Sequence, residues 1–360
     1  MTARNLDALV VTSLPNILYL TNFSGTAAIV VATMEALHFV TDFRYITAVE
    51  GARGTATECP NLELIVADGS YDATLARLLA SLPGRVGFES VHLTVKRYNW
   101  LTRTLAAAGG TACELVPTEG LVERQRVRKD PYEVATLREA ARRLSAVARA
   151  VFGQIHHGMT ERELALAIDW QIRQAGFARP AFETIVASGP NAALPHAQPG
   201  ERRLIEGDLV VLDFGGVYDS YCVDLTRTVS IGPPSSRGRE VYAAVLEAHD
   251  RAIASAGPSI SRFAIDAVAR DTLAQHGLGE AFGHGTGHGL GIEVHEDPRI
   301  TRRRPDVDTG DEEIEPGMVF TIEPGAYLPG WGGVRIEDDV LVTDTGVEVL
   351  TDATTDLLEI

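Results

Sequence analysis

Three histidines lie close together in a glycine-rich segment, GHGTGHGLGIEVHE, which covers residues 283–296. They are His284, His288 and His295. Imidazole is a good metal ligand and a good general acid or base. A high local concentration of glycine indicates a backbone that approaches another group closely or adopts a positive φ angle. Together with carboxylates elsewhere in the chain, this segment indicates part of a metal-dependent active site.

Two aspartates occur where apolar, strand-like stretches abruptly present a carboxylate. Asp213 follows the run LVVL, and Asp224 lies further along in YCVDLTRT. Gly215 and Gly216 between them are a reasonable place for the chain to bend back, so we expect a hairpin that brings the aspartates together. Two buried carboxylates repel each other and resist desolvation unless a cation or a proton compensates.

Two glutamates extend this set. Glu323 ends the apolar run in MVFTIEPG, and Glu337 lies in GGVRIEDD, where strand alternation would place Arg335 and Glu337 on one face. Arg335 could therefore orient the Glu337 carboxylate. Four carboxylates and one imidazole suit a carboxylate-bridged pair of Mn²⁺, Co²⁺ or Zn²⁺ ions, and ligand softness does not choose among them. Such a pair could yield hydroxide near neutral pH.

The elements that must position these side chains differ between two parts of the chain. In residues 1–118, short apolar runs alternate with amphipathic stretches, which predicts an α/β domain. The predicted strands lie at 8–12, 27–32, 37–40, 62–66, 85–88 and 113–117, and the predicted helices at 72–82 and 95–109.

Residues 119–360 are predicted to form a second domain of α+β type, with a charged stretch at 122–131 at the boundary between the domains. Helices are expected after Pro131 and after the capping-box spacing of Thr160 and Glu163. Two further helices are predicted at 237–256 and 261–276, and strands at 184–188, 208–215, 224–231, 318–324 and 334–343.

With these motifs the chain resembles the metal-dependent aminopeptidases of the pita-bread fold (family M24). The closest resemblance is to the branch that contains Xaa-Pro dipeptidase (prolidase) and aminopeptidase P. Seven segments carry the resemblance in the expected order: 7–25, 39–45, 185–197, 212–228, 283–299, 315–327 and 332–343. The resemblance covers nearly the whole chain. It implies an α/β creatinase-like N-terminal domain and a C-terminal pita-bread metallopeptidase domain.

The resemblance also implies roles for individual residues. Five of them would be metal ligands: Asp213, Asp224, His288, Glu323 and Glu337. His196 and His295 would flank the scissile carbonyl and stabilise the tetrahedral intermediate as donors, while Glu323 would relay a proton to the leaving nitrogen. Three residues would line the substrate pocket: His284, Arg299 and Arg335.

The implied reaction is hydrolysis of an Xaa-Pro peptide bond at the N-terminus of dipeptides or short peptides by a hydroxide that bridges two divalent ions. Mn²⁺ is the first expectation, with Co²⁺ or Zn²⁺ as alternatives. The substrate would be a peptide with proline in its second position, and the enzyme is expected to be a homodimer.

Composition limits the other function classes. A net charge of −17 argues against nucleic acid or an anionic membrane surface as a partner. No apolar run reaches the roughly 20 residues that cross a bilayer. Three cysteines without CxxC spacing, and a start without a signal-peptide pattern, favour the reducing cytoplasm.

Several alternatives stay open at this point. Aminopeptidase P, which acts on longer Xaa-Pro-Xaa peptides, is the nearest alternative. Methionine aminopeptidase ranks low, because it usually lacks a domain like residues 1–118. Creatinase-like amidinohydrolases do not keep the metal ligands, so the presence of all five here argues against them. A member of a different class would be a binding protein that retained the pita-bread fold and lost catalysis.

Overall fold

The structure is a computed structural model that describes residues 4–82, 84–107, 113–304 and 313–360. The chain divides into two compact units, Met1–Gln125 and Arg126–Ile360. The domain boundary predicted from the sequence, after residue 118, stays a prediction. Leu121 and Val122 follow that boundary and pack into a core of the first unit.

The first unit is built on a six-stranded sheet with the order β4-β3-β2-β1-β5-β6. Its strands are β1 (Ala8–Val11), β2 (Ile29–Ala32), β3 (Leu37–Thr41), β4 (Leu62–Val66), β5 (Gly84–Glu89) and β6 (Cys113–Thr118). Its helices are α1 (Leu14–Thr21), α2 (Ile46–Gly51), α3 (Tyr71–Ala80) and α4 (Val95–Ala107). The predicted strands and helices are present within the described residues, and positions 108 and 109 of the helix predicted at 95–109 lie outside them. Helices α1 and α2 were not predicted because both are short. The short helix α5 (Glu123–Arg126) spans the division between the units.

The central strands β1 and β2 are buried on both faces, which explains why they are continuous apolar runs. Ala8 and Val10 point into one core, whereas Leu9 and Val11 point into another that includes Ile17 of α1. The α/β architecture predicted for this part of the chain is therefore confirmed.

In its described residues, the second unit combines helices with three antiparallel sheets. Its helices are α6 (Pro131–Phe152), α7 (Glu161–Gln174), α8 (Ser236–Ser255) and α9 (Arg262–Gln275). The first sheet contains β7 (Arg179–Pro180), β8 (Ile185–Ser188), β9 (Leu209–Tyr218) and β10 (Tyr221–Ser230). The second contains β11 (Gly287–Gly289), β12 (Glu296–Ile300), β13 (Val319–Ile322), β16 (Asp338–Val342) and β17 (Val347–Val349). β14 (Gly325–Leu328) and β15 (Gly332–Arg335) form the third.

Local signals fix where the first two helices of this unit begin. Asp130 and Glu133 form a capping box at α6, with Pro131 in its first turn, and Thr160 and Glu163 form another at α7. Helices α6 and α7 pack on the core behind β9 and β10, while α8 and α9 pack on the core behind β13, β15 and β16. The α+β architecture is confirmed.

The hairpin between β9 and β10 is present, but it does not turn where the sequence predicted. Its turn is Asp219–Ser220, and both residues have positive φ angles. Gly215 and Gly216 lie inside β9 instead. A Cβ on Gly215 would lie 2.4 Å from the carbonyl oxygen of Val223, so this glycine permits close packing and not a bend.

The strand predicted at 334–343 is two strands in two sheets. The chain leaves its partner β14 after Arg335 and joins β13 from Asp338 onward. Glu337 lies in this crossover. Within the described ranges, no helix is long and apolar enough to cross a membrane.

Candidate metal centre

The β9–β10 hairpin delivers two of the candidate ligands. Asp213 pairs across the strands with Thr226, and Asp224 lies two residues from Thr226 on the same face of β10. Both aspartates are buried and line one cavity. The hairpin therefore juxtaposes the carboxylates as the sequence predicted, although its turn lies elsewhere.

Glu337 reaches the same place from the crossover between β15 and β16. Its backbone nitrogen donates a 3.1 Å hydrogen bond to the oxygen of Thr226, and the hydroxyl Oγ1 of Thr226 donates a 2.6 Å bond to Oε2 of Glu337. The buried guanidinium of Arg227 donates to the carbonyl oxygens of both Thr226 and Glu337. Arg227 therefore fixes the backbone on which this carboxylate stands.

His288 lies between two glycines that allow neighbouring backbone to approach closely, and this close packing fixes its position. A Cβ on Gly287 would lie 1.8 Å from the oxygen of Thr321, and one on Gly289 would lie 2.1 Å from the oxygen of Asp297. Nδ1 of His288 lies 3.1 Å from the oxygen of Gly289. A proton on Nδ1 is donated there, which leaves the lone pair of Nε2 as the free ligand position.

Glu323 follows directly after β13 and lies beside His288. Its Oε1 is 3.5 Å from Nε2 of His288 and accepts a 3.4 Å hydrogen bond from the hydroxyl of Thr321. The side chain keeps 17% of its surface accessible from the cavity. Burial raises the pKa of Glu323 to about 7, against the lowering effect of the Arg335 guanidinium.

Ligand atoms of Asp224, His288 and Glu337 all lie within 4.8 Å of one another. Burial raises the pKa of Asp224 and of Glu337 well above ordinary values, and neighbouring carboxylates add to both shifts. Burial and His295 lower the pKa of His288 to about 3, so its imidazole is neutral and can donate a lone pair. Oδ1 of Asp213 is buried without a hydrogen-bond partner among the described residues. Buried, mutually repelling oxygen donors with unused lone pairs fit divalent cations.

Arg335 and Glu337 both line the cavity, whereas Val334 and Ile336 are buried in the apolar core, as the predicted alternation requires. The guanidinium of Arg335 forms an ion pair with Oδ2 of Asp213, and it donates to Oγ1 of Thr226 at 3.2 Å and to the hydroxyl of Tyr327 at 2.8 Å. Arg335 is joined to Glu337 through the hydroxyl of Thr226, which donates to Oε2 of Glu337 at 2.6 Å.

The ligands open into a cavity of about 720 Å³. Its lining includes the other residues that the sequence proposed for catalysis and substrate binding: His196, His284, His295 and Arg299. The ring centroids of His288 and His295 are 4.3 Å apart. Burial and Arg299 lower the pKa of His295. All candidate site residues therefore surround one cavity.

His284 contacts Tyr327 at the wall of the cavity. Its Nε2 is 2.8 Å from the hydroxyl of Tyr327, and its Nδ1 is 2.8 Å from the oxygen of Gly285. Burial lowers the pKa of His284 to about 4, with a contribution from Arg335. Tyr327 thus links His284 to the Arg335–Asp213 ion pair.

Sequence reasoning missed the supporting residues, namely Thr226, Arg227, Thr321, Tyr327 and Asp339. Thr226 could have been found, because it lies two residues after Asp224 on a strand. Asp339 accepts a 3.0 Å hydrogen bond from the backbone nitrogen of Asp224. Nothing in the sequence around Asp339 distinguishes it from the acidic residue before it.

Comparison with known proteins places the chain in a family. Residues 135–344 match Metallopeptidase family M24, and residues 1–128 match the Creatinase/Prolidase N-terminal domain. The chain belongs to metallopeptidase family M24. This M24 protein is therefore a metal-dependent hydrolase of peptide bonds, with a creatinase-type N-terminal domain and a pita-bread catalytic domain.

Similar proteins match over nearly their full lengths. The M24 chain is 37% identical to the uncharacterized peptidase YqhT of Bacillus subtilis, across 98% of this chain and 96% of the relative. The structure of an Xaa-Pro dipeptidase from Bacillus anthracis aligns with a TM-score of 0.90 and 37% identity, across 99% of this chain and 95% of that one. An X-Pro aminopeptidase from Thermotoga maritima aligns with a TM-score of 0.87 and 31% identity, across 99% and 98% of the two chains.

Proposed function

We propose that this M24 protein is an Xaa-Pro dipeptidase that cleaves the bond between an N-terminal residue and proline in dipeptides or short peptides. The observation that carries the proposal is the convergence of Asp224, His288 and Glu337 within 4.8 Å, at a cavity that histidines and arginines also line. The similarity to a structure named Xaa-Pro dipeptidase, across 99% of the chain, supports the substrate class.

The residues that would hold a pair of divalent ions are Asp213, Asp224, His288, Glu323 and Glu337. Mn²⁺ is our first expectation, and Co²⁺ or Zn²⁺ would also suit this ligand set. When bound, such a pair polarises the scissile carbonyl and lowers the pKa of a water molecule enough to supply hydroxide near neutral pH. Arg335 would hold Asp213 in position, since it already pairs with that carboxylate.

His196 and His295 would donate hydrogen bonds to the oxygen on which negative charge develops. Such donors stabilise the transition state because they are oriented before the reaction begins. The lowered pKa of His295 keeps this imidazole neutral, and a neutral imidazole still carries one N–H donor. A proton must also reach the departing proline nitrogen, and the Glu323 carboxylate would carry it.

The cavity would recognise proline by shape, because the nitrogen of an Xaa-Pro bond has no N–H to bind. Phe182, Ile185 and Pro195 give the cavity apolar walls against which the pyrrolidine ring can pack. His284, Arg299 and Arg335 would contact polar atoms of the substrate. The volume of about 720 Å³ suits a small peptide.

We place the enzyme in the cytoplasm and expect a homodimer. All three cysteines, Cys59, Cys113 and Cys222, are free, as is usual in a reducing compartment. The homodimer follows from the family resemblance.

Aminopeptidase P activity is the second candidate, because the X-Pro aminopeptidase from Thermotoga maritima aligns over 99% of this chain. Metal-stripped protein, with Mn²⁺, Co²⁺ or Zn²⁺ restored, should be assayed on an Xaa-Pro dipeptide, an Xaa-Pro-Xaa tripeptide and a Met-Ala-Ser peptide. We expect metal-dependent cleavage of the dipeptide. Cleavage of the tripeptide would indicate aminopeptidase P, and cleavage of the third peptide would indicate methionine aminopeptidase. No cleavage with any metal would favour a binding protein.

A further inference from the structure

The loop that carries His196 connects β8 to β9 and covers residues 189–208. His196 is exposed to the cavity, and its imidazole makes no hydrogen bond to any residue that the structure describes. Its position therefore depends on the loop backbone. The segment around it contains Pro190, Pro195 and Pro199, which restrict that backbone.

A buried carboxylate fastens this loop at both ends. Glu161, in the first turn of α7, is fully buried. On the incoming side of the loop, its Oε1 accepts hydrogen bonds from the nitrogen and the hydroxyl of Ser188 at 2.8 and 2.7 Å, and from Nδ2 of Asn191 at 3.0 Å. On the outgoing side, its Oε2 accepts a 3.1 Å bond from the nitrogen of Gly200.

A second connection runs alongside the first. Arg202 donates a 2.6 Å hydrogen bond to the hydroxyl of Ser188 and forms a two-point ion pair with Asp208. The first turn of α7 also holds the outgoing side, since the nitrogen of Glu161 donates to the oxygen of Arg202 at 3.0 Å. Both ends of the His196 segment are thus joined to the start of one helix.

We propose that Glu161 is a positioning residue for catalysis, which holds His196 where it can donate to the scissile carbonyl. Glu161 does not line the cavity and contacts no candidate metal ligand, so it acts through the loop. The inference rests on the function proposed above for His196. It adds a buried carboxylate that accepts hydrogen bonds on both sides of the loop.

Glu161→Gln is the informative substitution, because it keeps the size of the side chain and replaces one acceptor oxygen by a donor. The new NH₂ group must face either the nitrogen of Gly200 or the donors of Ser188, so one end of the loop is released. Glu163→Gln is the matched control. Glu163 lies in the same helical turn, but its carboxylate accepts hydrogen bonds from the cap residue Thr160 and not from the loop.

Two measurements should be made on each full-length variant. The first is hydrogen exchange of the backbone amides of 188–200 in the metal-free protein, which does not depend on activity. We expect faster exchange in Glu161→Gln and unchanged exchange in Glu163→Gln. The second is turnover of an Xaa-Pro dipeptide by the Mn²⁺-loaded enzyme. We expect kcat to fall roughly 10- to 100-fold in Glu161→Gln, with bound metal unchanged and KM changed much less.

A double-mutant cycle with His196→Ala separates positioning from general support of the fold. If Glu161 acts through His196, Glu161→Gln should cost little further activity once His196 has been removed. If the losses of kcat in the two single variants multiply in the double variant, the proposal is overturned. Unchanged exchange of the loop amides in Glu161→Gln would also overturn it. If turnover is slow in His196→Ala but normal in Glu161→Gln, the positioning role of Glu161 is overturned, while the role proposed for His196 stands. Normal turnover in His196→Ala would instead remove His196 from the proposed function, and the proposal with it.

Discussion

The hydroxyl of Thr226 connects the carboxyl group of Glu337 to the guanidinium of Arg335. It donates to Oε2 of Glu337 at 2.6 Å and accepts from Nε of Arg335 at 3.2 Å. Arg335 in turn pairs with Asp213. One strand, β10, therefore orients carboxylates that come from two other parts of the chain. These hydrogen bonds and the ion pair fix where the carboxylates lie in the site.

Asp224→Asn should abolish both metal binding and activity while leaving the fold intact. The substitution also removes a charge that burial and nearby carboxylates disfavour, so the Tm of the metal-free protein should stay equal or rise by a few degrees. Elemental analysis and thermal melts with and without Mn²⁺ test this. Asp219→Asn, at the exposed turn of the same hairpin, is the control and should behave like wild type. Full activity with bound metal in Asp224→Asn would refute the ligand assignment.

The metal-free protein should lose stability as pH rises through the range in which Glu323 ionises. The pKa of Glu323 is raised to about 7 in the folded protein, from an ordinary value near 4.5. A carboxyl group with a raised folded pKa stabilises the fold below its unfolded pKa, and this contribution is lost as pH rises through the folded value.

Thermal melts of the metal-free wild type and of Glu323→Gln, from about pH 5 to about pH 8, test this pH dependence. The Tm of the wild type relative to the variant should fall across that range, because the variant lacks the titrating group. If the Tm of the wild type minus that of Glu323→Gln stays constant or rises with pH, the electrostatic account of the site is contradicted.

Gly287→Ala should destabilise the protein and reduce bound metal. Its Cβ would lie 1.8 Å from the oxygen of Thr321, so β11 and β13 would have to separate beside His288. Such overpacking costs about 1–3 kcal/mol, which should lower Tm by several degrees. Gly283→Ala is the control from the same segment, since a Cβ there meets nothing within 4 Å. Equal melting temperatures and metal contents in the two variants would show that close strand approach is unimportant.

His196→Ala should slow turnover by a large factor without removing metal. His196 lines the cavity, but it is not among the residues whose ligand atoms converge. Losing one donor to a developing oxyanion typically costs about 10²–10³-fold in kcat. Metal content and kcat should be compared with those of His92→Ala, at an exposed site in the first unit. If metal content fell together with kcat, His196 would be a ligand and not a donor.

The sequence predicted most of the fold because hydrophobic periodicity carries most of the signal. Strands such as β1 and β13 and helices such as α6 have strong periodicity or caps, and they are present. The predicted turn at Gly215–Gly216 was wrong, because glycine marks close packing as well as bends. The crossover after Arg335 was missed, since the apolar pattern continues unbroken while the chain changes sheets.

The candidate ligands could be predicted because an acid or histidine in an apolar strand is conspicuous. The supporting residues could not, because their partners lie far away along the chain. Arg227 donates to the oxygens of Ala353 and Thr354 as well as to that of Glu337. Glu161 contacts a loop that begins many residues later. Neither pairing leaves a local pattern in the sequence.

The most direct test of the account is a titration of metal-free protein with Mn²⁺, in which bound metal and hydrolysis of an Xaa-Pro dipeptide are followed in the same samples. We expect two ions per chain at saturation, no hydrolysis without metal, and activity that rises only as the sites fill. Hydrolysis by the metal-free protein, or saturation of binding without any hydrolysis, would contradict the proposed metal-dependent function.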